Sequence, residues 1–149
     1  MTAQITTQRL PAEWEPQDAI LLTWPHSDTG WAFILEDMIQ LYEALVSVIC
    51  DYADLVIAIP EAVIDDVRLR LEAMEVPLEH VYFYPVTSND TWARDHGPLG
   101  VQTPQGIKLL DFKFNGWGEK YPHALDNNIS LNLREQGAFP SAEFECIDF

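Results

Sequence analysis

A chain of 149 residues is long enough for one domain with a real core and too short for two ordinary ones. Almost half of its residues are hydrophobic and about a fifth are charged, which excludes a disordered polymer, and no apolar run approaches the roughly 20 residues that span a bilayer. The net charge of −16 argues against nucleic acid or an anionic membrane as partner and is compatible with a cationic ligand.

The segment Met1 to Arg9 is polar and lacks the apolar core of a secretory signal, so the expected location is the cytoplasm. Ala19 to Trp24 is a continuous apolar run stopped by Pro25, the pattern of a buried strand. Apolar residues then recur at helical spacing, at Ile34, Met38, Leu41, Leu45, Val48 and Tyr52, which predicts an amphipathic helix with that stripe facing the core. Asp54 to Pro60 reads as a second buried strand, Glu61 to Met74 as a second helix marked by Val63, Val67, Leu71 and Met74, and Val81 to Val86 as a third strand.

Thr87 to Asp90 is rich in turn formers and predicts a loop. Gly97 to Thr103 and Ile107 to Phe114 are strand-like and are separated by the turn Pro104-Gln105-Gly106. Asn115 to Asn128 is expected to be a long loop, Ile129 to Gln136 a short helix ended by Gly137, and the stretch from Glu143 a last strand. Two strand–helix–strand passages followed by a strand pair give an α/β or α+β class with mixed strands. The chain ends inside a predicted strand without a polar tail, so residues 1–149 are expected to form a single partial domain.

Neither cysteine has the surroundings of an activated nucleophile. Cys50 continues an apolar helical pattern and is expected to pack as a small hydrophobe, while Cys146 lies among acidic neighbours that disfavour a thiolate. There is no Gly-rich phosphate loop, no pair of histidines at metal-ligand spacing and no cofactor motif. His26, alone after Trp24-Pro25, is expected to be a hydrogen-bonded structural histidine.

The segment richest in chemistry is Asn89-Asp90-Thr91-Trp92-Ala93-Arg94-Asp95-His96-Gly97-Pro98, set between two apolar strands. Asp90 and Asp95 can each pair with a cation and Trp92 can stack on a planar one. Two readings stand on these residues alone: a binding loop, or a turn in which Arg94 pairs an aspartate and Trp92 plugs the core. A second cluster, Phe112 to Pro122, carries Trp117 between Gly116 and Gly118, a loop able to approach a ligand closely or simply to anchor itself through its indole.

These segments, with Leu10-Pro11-Ala12-Glu13-Trp14-Glu15-Pro16 and Trp24-Pro25-His26, occur in an order and spacing that resemble the agmatine deiminase and bacterial peptidylarginine deiminase family from about Leu10 to Asp126. Trp92-Ala93-Arg94-Asp95-His96-Gly97-Pro98 is the most specific of them. The resemblance implies an α+β pentein fold, a propeller-like ring of five ββαβ units, of which this chain would supply roughly the first two. It also implies hydrolysis of a guanidinium to a ureido group and ammonia through a covalent thiouronium on cysteine. On this basis Asp95 grips the guanidinium, Trp92 lies beside it, and Asp90, Trp31 and Trp117 line the pocket.

The family's His-x-Asp pair, second carboxylate and late cysteine have no counterpart here, so the chain is expected to be inert alone. The loop Asn115 to Glu119 holds no arginine and ends on an acid, which favours an amine such as agmatine over a substrate bearing a carboxylate. The expected partner is thus a cationic guanidino small molecule, with no nucleic acid, membrane, metal or cofactor. Self-association is expected if a partial ring leaves apolar faces without neighbours. An amidinotransferase of the same fold and a non-catalytic pentein-like interaction module remain as alternatives.

Overall fold

A computed structural model describes residues 7–148. The polar reading of the N-terminus up to Thr6, and Phe149 at the end of the last predicted strand, lie outside the described residues.

Strand β2 (Asp54–Ile59, DLVIAI) is apolar on both faces and can be stable only where both are covered. It is accordingly the centre of a three-stranded parallel sheet, with β1 (Ala19–Thr23) on one side and β3 (Val81–Pro85) on the other. Parallel pairing requires crossovers, and helices α1 (Leu35–Ile49) and α2 (Ile64–Ala73) supply them. Leu55, Ile57 and Ile59 pack with Tyr42 and Val46 of α1 and with Val67 and Leu71 of α2. Val56 and Ala58, pointing the other way, pack with Ile129 and Leu133 of a later helix, α5 (Ile129–Glu135).

That later helix belongs to the second half of the chain. There β4 (Leu99–Thr103) and β5 (Gly106–Phe112) form an antiparallel hairpin, and β6 (Glu143–Ile147) returns parallel to β5 after α5. The second sheet therefore runs ββαβ. The first runs βαβαβ, all parallel, and departs from the unit order implied by the resemblance. The class is α+β with mixed strands. Because α5 lies between β5 and β6 in sequence yet covers the far face of β2, one apolar contact joins the two sheets. Two single turns, α3 (Ala93–His96) and α4 (Gly116–Glu119), lie in the Asn89 to Pro98 segment and in the predicted loop from Asn115 to Asn128. Among the described residues no helix is long and apolar enough to cross a membrane.

The predicted core stripe of α1 is corrected. Met38 packs on the core, but Leu41, Leu45, Val48 and Tyr52 are exposed, and the core takes Ile39, Tyr42, Val46 and Ile49 instead. Both sets recur at helical spacing, so periodicity alone does not choose between them. Tertiary contacts do. Tyr42 meets Trp24 edge-on at 5.6 Å, and buried Glu43 forms an ion pair with Arg70 of α2, which also binds Glu36 at 2.8 Å. Met74, predicted to face the core from α2, is exposed, whereas Val67 and Leu71 are buried as expected. Leu71→Ala is expected to cost about 2–5 kcal/mol in urea denaturation. Leu41→Ala should stay within about 0.5 kcal/mol of the parent.

Candidate functional site

Three loops converge on one side of the molecule: those leaving the carboxyl ends of β1 and β3, and the one leaving β5. They enclose an open cavity of about 700 Å³ lined by Asp28, Gly30, Asn89, Asp90, Trp92, Asp95, Trp117, Tyr121, Pro122 and Asp126. A parallel sheet presents its ligand site at the carboxyl ends of its strands, and β1 and β3 follow that rule.

The β3 and β5 loops are held together by a reciprocal brace. The Asn89 and Asp90 N–H groups donate to Asp126 Oδ1 at 2.6 and 3.1 Å. In return the Leu125 and Asp126 N–H groups donate to Asn89 Oδ1 at 2.8 and 3.4 Å. Asp126 is only 2% exposed, and burial pushes its carboxyl pKa up while the Asp90 and Asn89 N–H donors oppose the shift. Nearby, Asn127 Oδ1 accepts from the Phe114 N–H at 2.7 Å, closing the base of the long loop.

After the brace the chain makes the single turn α3, which presents Asp95 at the surface and buries His96 beneath it. His96 Nε2 lies 3.3 Å from Thr23 Oγ1, and its Nδ1 is buried with no hydrogen-bond partner among the described residues. Burial holds the imidazole pKa down at about 4. Gly97 ends the turn because a Cβ there would lie 2.4 Å from the Ala93 carbonyl oxygen. The Trp-x-Arg-Asp-x-Gly-Pro pattern thus has a local cause in a turn so tight that only glycine closes it.

The long loop delivers Trp117 by an unusual device. Gly116, Trp117, Gly118 and Glu119 all have positive φ, at 62°, 57°, 81° and 63°, and the Glu119 and Lys120 N–H groups donate to the carbonyls of Asn115 and Gly116. The α4 segment is a turn of left-handed helix, which costs an L-residue with a side chain roughly 1–2 kcal/mol. Gly116 is required there twice over, since a Cβ would also lie 2.5 Å from the Tyr121 carbonyl oxygen. Asn115 caps the turn through Oδ1, which accepts from the Gly118 N–H at 2.9 Å. The turn sets the Trp117 indole between Phe114 and Tyr121, at 5.1 and 5.8 Å, and its Nε1–H donates to Asp95 Oδ1 at 3.1 Å.

Of the residues singled out from sequence, Asp95, Trp92, Asp90 and Trp117 line the cavity together. Trp92 packs against Trp117 edge-on at 6.1 Å, and Asp90 Oδ1 accepts from the Thr91 N–H at 2.9 Å. Trp31 stands behind this wall: its ring lies 6.0 Å from Trp92 and its Nε1–H donates to Thr91 Oγ1 at 2.9 Å. Arg94 makes no ion pair among the described residues, so the reading of this segment as an internally paired turn does not hold. His26 is a structural histidine, as expected. Its Nδ1 accepts from the Asp28 N–H at 3.3 Å, and Nε2 shares a 3.0 Å hydrogen bond with Ser88 Oγ.

Sequence reasoning missed Asp28, Tyr121 and Asp126 as lining residues and gave Asn89 no role. Asn89 stood inside the quoted segment and Asp126 marked the end of the motif register. Their pairing spans 37 residues and left no local signal. Neither cysteine lines the cavity: Cys50 is in the core with its thiol pKa raised by burial, and Cys146 is exposed on β6 with Sγ 4.0 Å from Asp111. The cavity lining holds four carboxylates and no Lys, Arg or His, so its field favours a cation, and its indoles suit a flat one.

Residues 9–147 match the Porphyromonas-type peptidyl-arginine deiminase family, and the chain belongs to that family. Agmatine deiminase of Pseudomonas syringae pv. tomato is 28% identical over 132 residues, covering 85% of this chain and 34% of the relative. That of Pseudomonas savastanoi pv. phaseolicola is 30% identical over 110 residues, covering 73% of this chain and 28% of the relative. A C. jejuni agmatine deiminase solved with substrate bound superposes with a TM-score of 0.80 at 28% identity, covering 96% of this chain and 40% of that one. The chain thus spans about a third of the length of the curated relatives it matches.

Two outcomes test the construction of the site. A histidine whose pKa falls from 6.5 to about 4 on folding gives stability that is complete above pH 6.5 and is lost as the pH drops through 4. Chemical denaturation from pH 7 to 4 should therefore show a loss of roughly 3 kcal/mol that His96→Asn removes. Glu119→Gly relieves one left-handed residue and should raise stability by about 0.5–1 kcal/mol at neutral pH.

Proposed function

We propose that this chain supplies the guanidinium-gripping side of a guanidine deiminase acting on agmatine or a closely related guanidino amine. The observation that carries the reading is the cavity lining: Asp28, Asp90, Asp95 and Asp126 with Trp92 and Trp117, and no basic side chain. A guanidinium is planar with paired N–H donors, so a carboxylate takes it by two parallel bonds while an indole covers its face. Asp95 is the gripping carboxylate and Trp92 the adjacent ring, with Asp90 and Trp117 completing the wall and Trp31 backing Trp92.

The substrate class follows from charge. A guanidino amine is cationic at both ends, and an all-acidic lining favours both. A peptide ending in arginine carries a carboxylate that the same lining repels. In the complete reaction a cysteine thiolate adds to the guanidinium carbon, ammonia departs, and water releases the ureido product and restores the thiol. Neither cysteine of this chain lines the cavity, so the share of this chain is to hold and orient the guanidinium, which contributes to rate through orientation. In a pentein ring it would form roughly the first two units, the second of them in the ββαβ order seen here and the first in a βαβαβ order.

Isothermal titration of the 149-residue chain should show agmatine binding that weakens with added salt, with no ammonia released. Asp95→Asn should lower the affinity by at least about tenfold with the fold intact by circular dichroism. Tighter binding of a C-terminal-arginine dipeptide than of agmatine would refute the substrate assignment. Unchanged affinity in Asp95→Asn would refute the role of Asp95.

A further inference from the structure

We propose that Trp117 is a positioning residue for Asp95: its indole N–H fixes the carboxylate plane for the incoming guanidinium, and the left-handed turn exists to place that N–H. The inference rests on the guanidinium-binding reading above and adds to it a role for Trp117 distinct from lining the wall.

Asp95 is exposed on a one-turn helix, a position from which an aspartate ordinarily samples several rotamers. Among the described residues its carboxylate has one side-chain hydrogen bond, the 3.1 Å bond from Trp117 Nε1–H to Oδ1. The donor is itself held. Phe114 meets the indole edge-on at 5.1 Å, Tyr121 at 5.8 Å and Trp92 at 6.1 Å, each close to perpendicular. Phe114 is anchored in turn through its backbone N–H to Asn127.

The chemistry of the donor matters. A carboxylate offers about four lone-pair sites and an indole N–H occupies one, leaving acceptors on both oxygens for a fork of two N–H groups. Two parallel bonds form only when the carboxylate and guanidinium planes coincide, so fixing one plane beforehand raises affinity and orientation together. A lysine or arginine in the same place would bind Asp95 more strongly and would also cancel its charge and repel the ligand. Indole holds the carboxylate and leaves its charge intact. The backbone shows the same purpose, because Trp117 and Glu119 occupy a conformation that glycine takes freely, and the strain is retained where the indole reaches Asp95.

The test uses the ¹⁵N-labelled 149-residue chain, with the Trp117 indole resonance assigned by its disappearance in Trp117→Phe. Asp95→Ala should move that resonance upfield and speed its solvent exchange, an answer that needs no ligand. Methylguanidinium and butylammonium are then titrated in parallel. Trp117→Phe keeps an aromatic ring and loses the donor, so methylguanidinium affinity should fall by roughly tenfold, and butylammonium affinity, which loses only part of a cation–π contact, by about twofold or less. A merely structural role would weaken both equally and overturn the positioning role. An indole resonance indifferent to Asp95→Ala, or equal methylguanidinium affinity in Trp117→Phe, overturns the positioning role alone. A parent chain that takes up no methylguanidinium overturns the proposed function and the positioning role with it.

Discussion

Two short side chains, Asn89 and Asp126, each accept backbone N–H groups from the other's loop, and the site depends on that exchange. One loop carries Asp90, Trp92 and Asp95, the other Trp117 and Tyr121. Four carboxylates around one cavity repel one another, and loops free to move would relax by separating. The brace opposes this by coupling the loops through four bonds from backbone N–H groups to the side-chain oxygens of Asn89 and Asp126. It is seated on a rigid base, since α5 begins immediately after Asp126-Asn127-Asn128 and packs Ile129 and Leu133 under β2. The apolar contact that joins the two sheets is therefore also what holds the second loop in place.

Departures from ordinary stability rules gather around this cavity. Asp126 is buried with its pKa raised, His96 keeps a buried nitrogen without a partner, and Trp117 and Glu119 lie in left-handed backbone. The core of the first sheet is different in kind: Leu55, Ile57, Ile59, Val67 and Leu71 are buried together, and the left-handed residue of that half, Glu75 at φ 59°, lies outside the core in the turn after α2. Strain tolerated at one end and offset by packing at the other is the distribution expected when a site must be preorganised. The acidic lining has the same character. Four carboxylates close together cost the cavity some stability, and a bound cation would offset that cost.

The elements were legible wherever one local rule decided the outcome. The unbroken apolar run of β2 demanded two covered faces and received them, and the Pro104-Gln105-Gly106 turn produced the β4–β5 hairpin. The reading failed where two local patterns competed, as on α1. There an apolar stripe through Leu41, Leu45 and Val48 and another through Tyr42, Val46 and Ile49 differ by a rotation of one residue. It also failed where conformation broke a rule, since nothing in Asn115-Gly116-Trp117-Gly118-Glu119 announces that a tryptophan and a glutamate will accept positive φ.

The sequence by itself determined the mixed α and β content and membership of the deiminase family, and it singled out four residues that line the cavity, Asp95, Trp92, Asp90 and Trp117, because these rest on short-range patterns and on motifs kept in register. Only the tertiary structure decided how they act together. It set Trp31 behind Trp92, brought Asp28 and Asp126 to the cavity, and linked Trp117 to Asp95 across 22 residues. The physical reason is range. A hydrogen bond or ring contact between distant loops depends on how sheets and helices pack beneath them, and no local preference of either loop encodes that packing.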